Sequence, residues 1–353
     1  MRRRWLVLGA ALVLAVGATV LVLQQVRPTA LPWNRSPFVA AAYLSSWDQE
    51  SADSLHTAAA NGMSEVSPVR ATVNPDGTLA VATPPAAESA ALRQAGLRVI
   101  PTVQNLADGQ WQGTKVADLL TNATTRAAHV QAVVDAAVRG GWAGVDIDYE
   151  ELPPMAGDAF TTFLTELRDR LHAHRMVLSV AVPARTKDSS SEETLAYAYP
   201  LIGTIADEVR VMAYDYSYST GSPGPVAPLP WVEAVVRYAA QRVPKDKLML
   251  GLATYGYDWV GRSGTDIGSA AAAELAAQEG VEPRWDARAA SYTFTYERDG
   301  QTHTVWYEDG RSAAAKADVA VRNGLRGVAL WRLGGEDPRI WTTAVAAATG
   351  GKA

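Results

Sequence analysis

Residues 142–150 read Trp142-Ala143-Gly144-Val145-Asp146-Ile147-Asp148-Tyr149-Glu150, and their alternation decides how the rest of the chain is read. Carboxylates stand at every second position from Asp146 to Glu150, with apolar residues between them. In an extended strand, residues i, i+2 and i+4 share one face. Asp146, Asp148 and Glu150 therefore line one side, while Val145, Ile147 and Tyr149 pack on the other. Neighbouring like charges cost energy, so at least one carboxyl holds its proton more tightly than usual. A carboxyl protonated near neutral pH is what a general acid requires. Taken alone, the triplet also fits a half-exposed strand with a solvated acidic face.

Working outward, the run is the fourth of eight short apolar segments, at 38–44, 65–69, 97–103, 144–148, 176–182, 208–214, 248–254 and 327–331. Helical patterns lie between most of them, for example at 117–139, 157–174, 230–242 and 312–323. Eight strands alternating with helices predict an α/β protein with a parallel sheet, and at this length a closed (β/α)8 TIM barrel over residues 38–348. A doubly wound open sheet competes, but no glycine-rich dinucleotide or phosphate turn follows the first strand. One spacing is too long for a single helix. Between Tyr255 and Gly327, residues 291–297 and 302–307 alternate around Arg298-Asp299-Gly300, a hairpin signature. This predicts a small α+β insertion at about 257–309, between the seventh and eighth strands. A parallel barrel strand is buried on both faces, so inward carboxylates need partners or a function. That consideration shifts the acidic triplet from solvated face toward site.

The composition bounds the rest. Hydrophobic content of 48% with 20% charged residues suits a folded protein, and a net charge of −5 offers no basic surface for nucleic acid. The absence of cysteine removes disulfides, thiol nucleophiles and thiolate metal sites together. At the N-terminus, Arg2-Arg3-Arg4 precede an uncharged, mostly apolar run over residues 5–23. Those 19 residues would cover about 28 Å as a helix, close to a bilayer core. Residues 1–24 are read as a signal anchor or a cleaved signal peptide, and 25–37, with three prolines, as a linker. Either reading exports the remainder, attached to the membrane through the N-terminal helix or secreted.

In such barrels catalytic groups gather at the C-terminal ends of strands. Asp148 and Glu150 end the fourth candidate strand, Tyr214 and Asp215 the sixth, and Trp331 the eighth. The Asp-x-Asp-x-Glu spacing also fits the start of a calcium loop, but the loop glycine and the glutamate at position twelve are missing. The five histidines include no His-Glu-x-x-His pattern, and no Gly-x-Ser-x-Gly begins a serine triad. No metal and no cofactor is expected. Eleven Trp and 13 Tyr beside only 4 Phe suit a wet cleft with aromatic walls.

These residues resemble glycoside hydrolase family 18, the chitinase-like family, whose fourth strand reads Asp-Gly-x-Asp-x-Asp-x-Glu. The sixth-strand motif Met-x-Tyr-Asp appears as Met212-Ala213-Tyr214-Asp215, and the eighth-strand tryptophan as Trp331. A narrower likeness, to the spore-germination and cortex-lytic branch, rests on the stretch from Pro223 to Trp231, on Tyr255-Gly256-Tyr257-Asp258-Trp259 and on Trp331 to Gly334 with Glu336-Asp337-Pro338. The resemblance implies a retaining, substrate-assisted hydrolase acting on N-acetylglucosamine-containing polysaccharide as a monomer. Glu150 would be the proton donor, Asp148 the partner of the substrate acetamido group, and Asp146 the inner carboxylate sharing a proton. Tyr214 would hydrogen-bond the acetamido group. Asp215, Met212, Trp331 and Tyr43 would bind the sugar. The family's first aspartate is Ala143 here, a change expected to tune proton sharing. A non-catalytic glycan-binding protein of the same fold at the cell envelope is the alternative.

Overall fold

The computed structural model describes residues 38–45, 49–74, 76–188, 194–345 and 348. The N-terminal apolar run and the linker lie outside the described residues, and so does the membrane expectation placed on them. Among the described residues, no helix is long and apolar enough to cross a membrane.

Eight strands form the barrel: β1 Val39–Leu44, β2 Glu65–Val73, β3 Thr102–Gln104, β4 Gly144–Asp148, β5 Val177–Pro183, β6 Glu208–Met212, β7 Leu248–Ala253 and β8 Gly327–Trp331. Each pairs in parallel with the next, and β8 pairs with β1, so the sheet closes on itself. Helices α1 Gln49–Ala60, α2 Ala86–Ala95, α3 Gly113–Thr121, α4 Ala123–Gly140, α5 Gly157–Ala173, α6 Tyr199–Ile205 and α7 Leu229–Ala239 fill the crossovers up to β7. This is the (β/α)8 architecture expected from the alternation.

Three differences from the expected elements have a local reason, and β2 also runs on to Val73, past its expected end at 69. The third strand breaks between Arg98–Val99 and Thr102–Gln104, where Pro101 has no N–H to give to a ladder. At the same level the β2 register slips between Val69 and Ala71, leaving Arg70 as the extra residue. Its buried guanidinium pairs with Glu88 of α2. The sixth strand stops at Met212, two residues before Tyr214. The helix expected over 117–139 is two helices. Asn122 takes an extended backbone between them and accepts hydrogen bonds from the backbone N–H groups of Thr124 (2.9 Å) and Thr125 (3.2 Å), an N-cap that starts α4.

Strand alternation sorts the core into two layers. Outward-facing Val145 and Ile147 pack with Phe160, Phe163, Leu164 and Leu167 of α5. Inside the barrel, Val39, Ala41, Tyr43, Met249 and Ala329 form a separate apolar cluster that meets Trp331. The rest of the interior is polar. Glu65, Ser67, Thr102, Asp146, Ser179, Glu208 and Arg210 are all buried there. Buried charges persist only when paired and hydrogen-bonded, so this layer has to be internally matched.

Between β7 and β8 the chain builds a five-stranded antiparallel sheet. Its spatial order is Ser263–Gly268, Tyr255–Val260, Gln301–Tyr307, Ser291–Arg298, Arg284–Asp286. Helix α8, Ser269–Gln278, packs Ala272 and Ala276 against Phe294, Tyr296, Val305 and Tyr307. The hairpin closes at the pair Arg298–Gln301, with Asp299 and Gly300 both left-handed at φ 54° and 73°, as a type I′ turn demands. Helix α9, Gly310–Arg322, then leads into β8, and its buried Lys316 pairs with Glu308 at the end of the sheet.

Candidate active site

Register fixes the inner end of the site. Asp146 on β4 lies opposite Thr102 of β3 and Ser179 of β5, so three side chains point into the barrel at one level. Ser179 Oγ donates to Asp146 Oδ1 at 2.6 Å, and Thr102 Oγ1 donates to Oδ2 at 3.2 Å. Two residues further along β4, Asp148 is also buried, and its Oδ1 has no hydrogen-bond partner. Burial first, then the charges of Glu150 and Asp146, push its carboxyl well above the usual range.

Glu150 follows the end of β4. Its backbone is held on both sides by one side chain: Asn105 Nδ2 donates to the Glu150 carbonyl at 2.9 Å, and the Glu150 N–H donates to Asn105 Oδ1 at 2.8 Å. The next residue, Glu151, adopts the left-handed region at φ 54°, and its carbonyl lies where a side chain on Gly113 would stand, 1.9 Å from that site. Glycine at the start of α3 therefore lets the helix close on the turn. Burial, followed by Asp215 and Glu151, raises the Glu150 carboxyl to about 7.

The remaining candidates arrive from other strands. The ring of Tyr214 lies over Gly251 of β7, where an added Cβ would come 3.0 Å from its Cε1. Asp215, left-handed at φ 56°, turns the chain out of β6. Its Oδ1 accepts from Tyr255 Oη at 2.6 Å and from Tyr257 Oη at 2.9 Å. Burial raises the Asp215 carboxyl, and those two phenols oppose the rise. Tyr43 and Trp331 meet edge to face, with ring centroids 5.2 Å apart.

Two cavities open at this rim. One, of about 530 Å³, is lined by Asp215, Thr254, Tyr255, Tyr257, Trp331 and Arg332 together with residues 264–266 and 268 of the antiparallel sheet. The other, of about 610 Å³, is lined by Glu150, Glu151, Leu152, Pro153, Pro183, Tyr197 and Met212. Glu150 and Asp215, which feel each other's charge, thus face different halves of the rim. An acid in that position can protonate a group spanning both halves. Among the described residues, no group of three or more His, Asp or Glu side chains could hold a metal ion.

All eight sequence candidates come together: Tyr43, Asp148, Glu150, Met212, Tyr214, Asp215 and Trp331 at the rim, and Asp146 one level below. Sequence reasoning missed Asn105, Arg210, Tyr255 and Tyr257 as members of the site. Arg210 carried a signal, because Glu208-Val-Arg-Val-Met alternates as the fourth strand does and puts a cation on the inward face. Tyr255 and Tyr257 also share a face at strand spacing, but their partner is 40 residues away. The Glu336-Asp337 pair serves as scaffold. Glu336 accepts from Gly334 N–H and Trp341 Nε1, and Asp337 accepts from Gly310 N–H at the start of α9.

The fold and the rim define a (β/α)8 barrel with buried carboxyls at the ends of its strands, and the chain belongs to the glycosyl hydrolases family 18, whose family model matches residues 41–336. It is 31% identical over 231 residues to the cortical fragment-lytic enzyme of Bacillus subtilis, covering 63% of this chain and 54% of that protein. It is 34% identical over 244 residues to YdhD of the same organism, named there as an inferred sporulation-specific glycosylase, covering 67% of this chain and 58% of YdhD. The match thus spans little more than half the length of these two relatives. Among solved structures, the spore cortex-lytic enzyme SleL of Bacillus cereus superposes with a TM-score of 0.81 at 26% identity, covering 88% of this chain and 74% of that one. A chitinase from Chromobacterium violaceum gives 0.82 at 29% identity, covering 89% of this chain and 100% of that one.

Proposed function

We infer that this protein is a retaining, substrate-assisted glycoside hydrolase that cuts β-1,4 linkages beside N-acetylglucosamine, in peptidoglycan or a chitin-like glycan. The observation that carries the reading is Glu150, a largely buried carboxyl raised to about 7 that lines a cavity of about 610 Å³, beside a second buried carboxyl, Asp148, also pushed well above the usual range. A donor with that affinity is protonated and yet able to give up its proton near neutral pH.

In this reading Glu150 protonates the glycosidic oxygen as the bond to the anomeric carbon breaks. The carbonyl oxygen of the substrate's own 2-acetamido group attacks that carbon from the opposite face and gives an oxazolinium ion, one of the exceptions to a protein nucleophile. Asp148 takes the acetamido N–H and balances its developing positive charge, Asp146 shares the proton of the pair, and Tyr214 holds the acetamido carbonyl. Trp331 and Tyr43 floor the sugar, and Asp215 and Met212 bind on either side of the scissile bond. Water, deprotonated by Glu150, then opens the ring with retention. No metal or organic cofactor takes part in these steps.

The sheet between β7 and β8 is read as an insertion that walls the cleft, since its residues 264–266 and 268 line the Asp215 half. The Arg2-Arg3-Arg4 cluster and the apolar run after it support an extracytoplasmic location for the catalytic part. The cortex-lytic relatives weigh toward peptidoglycan as the glycan met there.

The test compares wild type with Glu150→Gln on N-acetylglucosamine oligomers and purified peptidoglycan. The expected loss in kcat is at least about 100-fold, the scale of one general acid. Equal release of reducing ends by both proteins leaves the non-catalytic, glycan-binding reading, which Ala143 favours. Because the acetamido group does the attack, glucosamine-only oligomers should be inert, and their efficient cleavage removes the substrate-assisted mechanism.

A further inference from the structure

Arg210 rises from β6 into the barrel interior, below the carboxylates and out of reach of substrate. Its Nη1 donates to Ser67 Oγ at 2.5 Å and lies 3.8 Å from Asp146 Oδ1. Its Nη2 lies 3.3 Å from Glu208 Oε2 and 3.5 Å from Glu65 Oε2. Arg98 binds Glu65 at 2.5 Å, and Arg326 binds Glu208 at 3.1 Å. The floor therefore sets Arg98, Arg210 and Arg326 against Glu65, Glu208 and, from above, Asp146. Burial and the facing Glu208 push the Glu65 carboxyl up to about 8, while Arg210, Arg326 and Arg98 overcome burial to hold Glu208 low. Near neutral pH the floor thus has at least as many cations as its own two glutamates can match.

Asp146 is the carboxylate that meets this excess. Both of its oxygens accept from hydroxyls, and one also faces the guanidinium, so a proton there would have to displace a donor. Asp148 is placed in the opposite way. It is buried with one oxygen unpartnered, and the charges that reach it from Glu150 and Asp146 are negative. The other titratable groups facing the pair are Tyr43 from β1, Tyr214 just beyond β6 and Tyr197 just ahead of α6.

We propose that Arg210 is a positioning residue that anchors the negative charge of the Asp146–Asp148 pair on Asp146, so that the pair's proton rests on Asp148, the member that faces substrate. The proposal rests on the hydrolase reading for its kinetic consequence. The pair has to keep one negative charge to balance the oxazolinium, and a second proton abolishes it. A fixed cation 3.8 Å from Asp146 favours the singly charged form of the pair over the doubly protonated one. Arg210 thereby sets the acidic limit of turnover.

The test uses the full chain with two variants. Arg210→Gln alone strands two buried glutamates, so the charge change is made as Glu208→Gln with Arg210→Gln, which removes one anion with one cation. With folding checked by circular dichroism, the double variant should lose about tenfold in kcat with KM changed less than about threefold, and the acid limb of its pH–kcat profile should move up by about one unit. Arg210→Lys keeps the charge and should keep the limb within about 0.3 unit. A folded double variant with an unmoved limb overturns the proposal. Neutron diffraction from deuterated wild-type crystals at pH 7 gives a readout free of activity. A deuteron on Asp148 and none on Asp146 is expected, and the reverse overturns the proposal even if the wild type cleaves no glycan. Wild-type inactivity by itself counts against the hydrolase reading and leaves the neutron result to decide this one.

Discussion

At the residue scale, one strand face gives its three carboxyls three different surroundings. Asp146 sits among donors, Asp148 is buried with an oxygen left over, and Glu150 is raised to about 7 at the cavity edge. A carboxyl whose affinity is raised by folding destabilises the folded state once the unfolded chain would ionise. For Glu150 the cost is absent below about pH 4.5, grows as pH rises toward 7, and is complete above it. Glu150→Gln removes the charge and should therefore stabilise the protein at pH 8 by about 1–3 kcal/mol, with no comparable gain at pH 4. Thermal melts at the two pH values check this; equal shifts at both would mean that the charge is not the cause. The carboxylate face was legible because strand alternation is strict. Asn105 was not, because nothing local tells an amide that it will clasp a backbone 45 residues away.

At the element scale, the eight strands were legible as apolar runs, since burial on both sheet faces leaves little room for polar residues. Their ends were less so. Pro101 cuts the third strand, and Asp215 turns the sixth out of the sheet, each through backbone rules that act on one residue. The break between α3 and α4 has the same character. Asn122 was read as a helix-interior residue, yet its side chain satisfies two N–H groups that begin α4. Asn122→Ala should cost about 1 kcal/mol by leaving those donors without a cap, while kcat stays unchanged. A denaturant midpoint lowered with an unaltered slope reports it; an undiminished midpoint shows that water caps the helix as well.

At the scale of the whole barrel, the site is assembled from segments that no local reading joins. The antiparallel sheet contributes two phenols, Tyr255 and Tyr257, to one carboxylate oxygen of Asp215. Those donors oppose the effect of burial on Asp215, so their loss should raise its proton affinity further. Tyr255→Phe with Tyr257→Phe is expected to lower kcat about tenfold and to extend the acidic decline of the pH profile to higher pH. A wild-type profile in the double variant would show that Asp215 works without the sheet.

The ion cluster on the barrel floor has a consequence for the routes open to mutation. Glu65, Glu208, Asp146 and Arg210 are buried together, with Arg98 and Arg326 closing the cluster, so deleting one of the buried charges strands another, at a cost of about 3–5 kcal/mol. A marginally stable fold has little reserve for such a step. Descendants of this sequence can leave the arrangement only by exchanging an acid and an arginine together, or by passing through a stage propped up by gains elsewhere. The floor is thus an inheritance that drifts in pairs.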